Sequence, residues 1–168
     1  MTLTGNLTLP HRAANVSAAR HCLASALSGA KVADDSVDDA VLVLSELVGN
    51  ALRHADPLPI DGIAVRWRLS SARVVVEVTD GGGTTWPRAG EAGPGASSGR
   101  GLHIVETLAL DWGVRSEKGG ARTVWATLAA PRRPSVRASR ARPAPEELGS
   151  SPKNGKRSLH DGGQQLVR

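Results

Sequence analysis

Five segments of the chain are predicted to be β-strands, the first three from a period of two in their apolar residues and the last two from the turn between them. These segments are residues 3–9, 63–69, 74–79, 112–117 and 122–128. The short link Ser70–Ala72 between the second and third segments predicts an antiparallel hairpin, and Gly119-Gly120 between the last two predicts another. The pattern therefore indicates a sheet in which most neighbouring strands are antiparallel.

Three other segments show the helical period of 3.6 residues. The first has apolar residues from Val16 to Leu27, with Gly29 at the position expected for a C-cap. The second opens among the acidic residues 34–36 and runs to about His54, and the third spans about residues 100–110. Strands and helices do not alternate as a parallel sheet would require. The order predicts an α+β fold, a two-layer α/β sandwich whose mixed, mainly antiparallel sheet carries helices on one face.

Charge divides the chain into two parts. Residues 1–130 hold 12 Lys and Arg against 13 Asp and Glu, whereas residues 131–168 hold 9 against 3. We expect one folded domain over residues 1–130 and a basic tail, rich in Pro, Ser and Gly, over residues 131–168. Counterion release could attach such a tail to a nucleic acid. Because it has no aromatic residue and little apolar surface to bury, a disordered extension without direct nucleic-acid binding is the favoured interpretation.

A single cysteine, Cys22, excludes an internal disulfide and a cysteine-based zinc site. It lies among the apolar positions of the first predicted helix, so we expect it in the core. The histidines show no metal-ligand spacing. No apolar run approaches the ~18 residues of a membrane span, and the N-terminus does not have the pattern of a secretion signal, so a cytoplasmic protein without a membrane partner is expected.

The second predicted helix carries a carboxylate and a carboxamide one turn apart, Glu46 and Asn50, opposite its main apolar face. An ordinary solvated stripe would explain them. However, Leu42 and Val43 lie beside Glu46, which indicates that this face is also covered. The amide oxygen of Asn50 can be a ligand of Mg²⁺, and the carboxylate of Glu46 can accept a proton from a hydroxyl group.

Two glycine-rich motifs follow along the chain. Asp80-Gly81-Gly82-Gly83 ends a valine-rich strand, and it is either a simple turn or a carboxylate acceptor for the amino group of a base such as adenine. Gly99-Arg100-Gly101-Leu102 opens the third helix, and it is either a helix start without a ligand or a phosphate site. The connection between them is long for a compact domain, which favours a functional loop. No GxxxxGK[ST] motif is present, so a P-loop enzyme is excluded.

The order and spacing of these motifs over residues 3–129 resemble those of the GHKL superfamily of histidine kinase-like ATP-binding domains, which have the Bergerat fold. Residues 45–55 resemble its N-box, residues 78–82 its first glycine box and residues 99–105 its second. The compact length and residues 120–125 are most similar to bacterial anti-sigma factor serine kinases. One departure is Thr84, where the common form of the first glycine box has another glycine.

The resemblance implies roles for individual residues in binding ATP and Mg²⁺. Glu46 would be the general base toward a protein serine, and Asn50 the Mg²⁺ ligand. Asp80 would bind the adenine amino group, and Gly82 would line the base pocket. Thr123 would add a polar contact near adenine.

The same resemblance assigns the phosphates to four residues at the start of the third helix. These are Gly99, Arg100, Gly101 and Leu102. It also matches Arg20 with an arginine that contacts protein partners, although a solvated arginine is an equally good interpretation.

The resemblance thus implies a regulator that binds a sigma factor and phosphorylates a serine of an anti-anti-sigma antagonist, with a homodimer as a further expectation. An alternative is a non-catalytic module in which ATP only controls a protein interaction. The catalytic half of a histidine kinase, or the motor of a larger ATPase, is a third and weaker hypothesis, because too few residues precede the N-box helix for a phosphoacceptor hairpin and no transducer domain follows.

Overall fold

The computed structural model describes residues 2–59, 62–83 and 100–134. Two single turns of 3₁₀ helix, at Ala13–Asn15 and Lys118–Gly120, accompany the main elements. The strands and helices, in chain order, are β1 (Thr2–Pro10), α1 (Val16–Gly29), α2 (Asp34–His54), β2 (Gly62–Ser70), β3 (Arg73–Asp80), α3 (Arg100–Leu108), β4 (Asp111–Ser116) and β5 (Arg122–Ala129).

The five strands form one sheet in the order β1-β2-β3-β5-β4, and each neighbouring pair is antiparallel. Side chains alternate between the two faces. On β2 and β3 the inner face is buried, whereas the outer face, apart from Gly62 at the start of β2, is exposed or half-buried. The three α-helices of the described residues lie against the inner face, so the predicted two-layer α+β sandwich is confirmed. The sheet was predicted to be mixed and mainly antiparallel. No parallel pair of strands occurs among the described strands.

Helix α2 is the central element of the helical layer. It contacts α1 and α3 at its sides and β3 and β5 below. Asp34 and Asp35 lie in its first turn, and Arg53 and His54 lie in its last. Charges of these signs at these ends interact favourably with the helix dipole. The buried face of α2 consists of Val37, Ala40, Val43, Leu44, Leu47, Val48 and Ala51.

Two details differ from the sequence prediction. Cys22 is exposed rather than buried, because Ala19, Leu23 and Leu27 face inward and a rotation of about 100° per residue turns Cys22 away from them. Helix α3 ends at Leu108 rather than at residue 110. The N–H of Leu110 already donates to the carbonyl of Thr127 on β5, so the chain joins the sheet at that point.

The residues after β5 run back to the turn between α1 and α2. Val32 bridges Arg132, the N–H of Ala33 donates to the carbonyl of Pro131, and the Arg133 guanidinium contacts Asp34. These contacts reach three residues beyond the expected domain end at residue 130. Residues 135–168 lie outside the described part of the chain, so disorder of the tail stays a prediction.

No helix within the described ranges is long and apolar enough to cross a membrane.

Gly5 on β1 gives room for the indole of Trp67, its partner on β2, because a Cβ at Gly5 would lie 2.2 Å from the ring. We expect Gly5→Ala to lower the free energy of unfolding by about 1–3 kcal/mol, since the indole must move within a packed layer. Denaturant unfolding measures this. Asn6→Ala, at the exposed neighbouring position, is the control. A Gly5→Ala protein as stable as this control would contradict the packing.

Candidate functional site

The predicted pair Glu46 and Asn50 lies at the junction of α2 and α3. Both side chains are half-buried. The start of α3 packs directly on them. A Cβ at Gly101 would lie 2.4 Å from Oε2 of Glu46 and 3.5 Å from Oδ1 of Asn50. The fold therefore brings the second glycine motif against the N-box, and a residue larger than glycine at position 101 would displace the Glu46 carboxylate.

The side-chain amide of Asn50 has a hydrogen-bonded oxygen and a nitrogen without a hydrogen-bond partner. Its Oδ1 accepts a hydrogen bond from the exposed Arg53 guanidinium, at 3.0 Å. Its Nδ2 is buried and has no hydrogen-bond partner. A buried amide with an unsatisfied group costs free energy unless a polar ligand supplies a partner. Asn50 thus fits a site that receives a polar or charged ligand.

Within the described residues, no three His, Cys, Asp or Glu side chains come together as a metal cluster. A Mg²⁺ ion bound with a nucleotide does not need one, because it takes one or two protein oxygens and completes its shell with phosphate oxygens and water. The Oδ1 atom of Asn50 is one oxygen that this junction offers, and its hydrogen bond from Arg53 would have to break before it could bind Mg²⁺.

Asp80 ends β3 on the inner face, where only 5% of it is exposed. Its Oδ1 accepts a hydrogen bond from the N–H of Gly82, at 2.8 Å. Burial raises the pKa of Asp80 above its usual value; the Gly82 N–H, the Arg122 guanidinium and the His11 imidazole oppose the shift. The site therefore contains a buried carboxylate that is costly to ionise without a ligand.

The glycines after Asp80 bring the turn close to the chain that follows α2. The N–H of Gly81 donates to the carbonyl of Asp56, and the N–H of Asp56 donates to that of Gly82. Gly82 has φ +85, and a Cβ there would lie 2.3 Å from the carbonyl oxygen of Gly120. The motif is thus a tight turn, as one interpretation predicted. The same turn holds the buried carboxylate that the base-binding interpretation needs.

Thr123 is the predicted site residue that the fold places apart from the others. It pairs with Thr79 in the β3–β5 register, on the outer face, while Asp80 lies on the inner face. Its hydroxyl is 2.8 Å from the Thr79 hydroxyl and donates to Glu117 at 2.9 Å. The geometry does not support a contact of Thr123 with a base bound at Asp80, because adjacent strand residues point to opposite faces.

Arg122, which was not among the predicted site residues, occupies the position beside Asp80 instead. It is the cross-strand partner of Asp80 and is only 5% exposed. Its guanidinium donates to the carbonyl of Gly83, at 2.6 Å. The sequence contained a signal for this position. Arg122 shares its face of β5 with the apolar Val124, and an arginine on a buried face is unusual.

The remaining predicted residues belong to the start of α3. Gly99 and the side chain of Arg100 lie outside the described residues, as does Thr84. Leu102 is buried and packs in the hydrophobic core, so only its backbone is available to a phosphate.

Comparison with known proteins agrees with this fold. The family model for the histidine kinase-like ATPase domain matches residues 9–128. No curated protein sequence gives a match. Among solved structures, the chain is similar to the crystal structure of the RsbU and RsbW domains of Rv1364c from Mycobacterium tuberculosis, with a TM-score of 0.58 and 21% identity. That alignment covers 78% of this chain and 33% of the other, so this chain spans about a third of the length of that chain.

Asp80→Asn should leave the ligand-free protein as stable as the wild type or more stable at neutral pH. The amide can still accept the Gly82 N–H, and it removes the cost of burying an ionised carboxylate, which is larger than the favourable effect of the neighbouring Arg122 charge. Because the folded-state pKa of Asp80 is raised, the native state binds more protons than the unfolded state between the usual pKa and the raised one. Stability contributed by this group is therefore lost as the pH rises through that window.

Thermal unfolding at several pH values measures this effect. The wild type should lose stability relative to Asp80→Asn as the pH rises from about 3.8, the ordinary pKa of an aspartate. Asp111→Asn, at an exposed position, is the matched control. A marked loss of stability in Asp80→Asn at neutral pH would show that the ionised carboxylate stabilises the fold, contrary to this account.

Proposed function

Because this chain belongs to the histidine kinase-like ATPase domain family, we propose that it is an ATP-binding anti-sigma regulatory factor with protein serine kinase activity. The observation that carries the proposal is the contact of Gly101 with Glu46 and Asn50. It joins a carboxylate, a carboxamide and a glycine-rich helix start at one junction. These are the groups that a phosphoryl transfer needs for proton acceptance, cation binding and phosphate binding.

ATP would lie between the turn after β3 and the start of α3. Asp80 would accept a hydrogen bond from the adenine amino group, with Gly82 at the edge of the base. The backbone N–H groups at Gly99, Gly101 and Leu102 would meet the phosphates, because a helix N-terminus presents unpaired donors and a partial positive charge. Arg100 would add a full positive charge. Asn50 would hold Mg²⁺, which would neutralise charge on the phosphates.

The chemical step would be an in-line transfer of the γ-phosphoryl group to a serine hydroxyl. The oxygen of the serine forms the new bond to phosphorus while the bond to the β-phosphate oxygen breaks, so ADP leaves. The hydroxyl proton passes to the carboxylate of Glu46. This carboxylate is half-buried and held against Gly101, which restricts its position. Positioning of this kind accounts for much of the catalysis in phosphoryl transfer.

The partners in this proposal are a sigma factor and an anti-anti-sigma protein that carries the serine. The solved neighbour contains a domain named RsbW beside one named RsbU, which supports a regulatory role for this fold. On this chain, Arg20 is exposed and borders a shallow depression between α1 and α2, which also includes His21 and Val41. We place the contact with a protein partner there. A homodimer is part of the same proposal.

Glu46→Gln should abolish phosphate transfer to the antagonist while ATP binding stays within about twofold of the wild type, because the amide keeps the shape of the carboxylate and cannot accept the proton. Calorimetric titration with ATP, with and without Mg²⁺, measures binding; radiolabelled ATP with the antagonist measures transfer. Glu106→Gln, an exposed carboxylate on α3, is the matched control and should transfer normally.

The two measurements separate the possible functions. Mg²⁺-dependent binding with transfer that needs Glu46 supports the kinase. Binding without transfer by the wild type supports the non-catalytic ATP-controlled module. A folded protein that binds no ATP would contradict both.

A further inference from the structure

The guanidinium of Arg53, in the last turn of α2, is folded back along the helix over the residues that precede it. Its Nη2 donates a hydrogen bond to Oδ1 of Asn50, three residues earlier, at 3.0 Å. A second observation gives the same placement, because a Cβ at Gly49 would lie 3.0 Å from Nη1 and 3.3 Å from Nη2 of Arg53. The absence of a side chain at Gly49 therefore leaves the space that the guanidinium occupies.

This contact fixes which way the carboxamide of Asn50 faces. A guanidinium has N–H donors and no acceptor, so it can pair with the amide oxygen but not with the amide nitrogen. The nitrogen Nδ2 is then the buried end of the amide. The oxygen lies 3.5 Å from the position that a Cβ of Gly101 would take. The oxygen proposed to bind Mg²⁺ is thus held by a cationic side chain in the ligand-free protein.

Two cations would compete for this one oxygen. Mg²⁺ binds oxygen ligands at about 2.1 Å, so an ion on Oδ1 would lie within about 5 Å of Nη2 if the bond from Arg53 persisted. Like charges at that separation repel, and the double charge of Mg²⁺ doubles the effect. Arg53 is exposed, so water can solvate its guanidinium once it leaves the amide. The competition should therefore be real but modest in size.

We propose that Arg53 is a positioning residue that holds the amide oxygen of Asn50 in the ligand-free protein and leaves it when Mg²⁺ binds with the nucleotide. This inference rests on the proposed ATP binding and adds a determinant of its Mg²⁺ dependence. Because the bond to Arg53 must be given up, the gain in ATP affinity that Mg²⁺ provides is smaller than Asn50 alone would allow.

The test measures the affinity of the full chain for ATP by calorimetric titration, once with Mg²⁺ and once with a chelator in its place. The ratio of the two dissociation constants is the magnesium effect. Arg53→Met should raise this effect by about three- to tenfold, the range expected when one competing hydrogen bond is removed. Arg68→Met, which removes an exposed arginine from β2, is the matched control and should keep the wild-type effect.

Two further variants separate competition from other roles of Arg53. Arg53→Lys keeps a positive charge and a donor, so it should restore the magnesium effect toward that of the wild type. In an Asn50→Ala background, Arg53→Met should leave the effect unchanged, because the oxygen for which the cations compete is absent. This double-mutant cycle isolates the coupling between the two side chains. A purely structural role would weaken ATP binding equally with and without Mg²⁺, and the ratio would not move.

The outcomes distinguish this inference from the proposed function. If the wild type binds ATP with Mg²⁺ and Arg53→Met has the same or a smaller magnesium effect, the competition is overturned while the ATP site stands. An increase that persists in the Asn50→Ala background also overturns it, because Arg53 would then act without Asn50. If the folded wild type binds no ATP, the proposed function fails and the inference fails with it.

Discussion

The candidate site depends on how closely backbone can approach α2. At its middle, the start of α3 meets Glu46 and Asn50 through Gly101, where a Cβ would fall 2.4 Å from the carboxylate. After its end, the turn following β3 meets Asp56 and Pro57 through Gly81, where a Cβ would fall 2.2 Å from a carbonyl oxygen. Helix α2 is fixed by its apolar face on the sheet. Both glycine motifs therefore take their positions relative to this helix.

A second constraint is the burial of charge beside the turn. Ionised Asp80 is unfavourable in the ligand-free fold, since burial raises its pKa despite the Gly82 N–H and Arg122. Such a carboxylate gains more from a ligand donor than a solvated one would, because few water molecules compete for it. The buried Nδ2 of Asn50, which has no hydrogen-bond partner, would likewise gain from a polar ligand. A buried carboxylate and a buried amide nitrogen without a hydrogen-bond partner are groups that a polar ligand would stabilise.

Alternation along β5 decides which side chains lie on the same face of the sheet as Asp80. Arg122 lies on the inner face beside Asp80, and Thr123 lies on the outer face, hydrogen-bonded to Thr79 and Glu117. A shift of one residue in register would exchange their roles. The resemblance assigns a contact near adenine to Thr123, whereas the register places Arg122 on the same face as Asp80. A buried positive charge therefore lies beside the carboxylate that is proposed to bind the base.

The sequence by itself determined the elements and the layer arrangement, because both follow from local periodicity. The helix bounds of α2, the two hairpins and the pairing of Glu46 with Asn50 on one helical turn were all readable from spacing. Tertiary structure decided which groups meet. The contact of Gly101 with Glu46 joins residues far apart in the chain, the exposure of Cys22 depends on how α1 is rotated on the sheet, and the neighbour of Asp80 depends on strand register. These outcomes arise from packing between elements. A shift of one residue in strand register, or a modest rotation of a helix about its axis, would reverse them, and the periodicity of the sequence hardly detects either change.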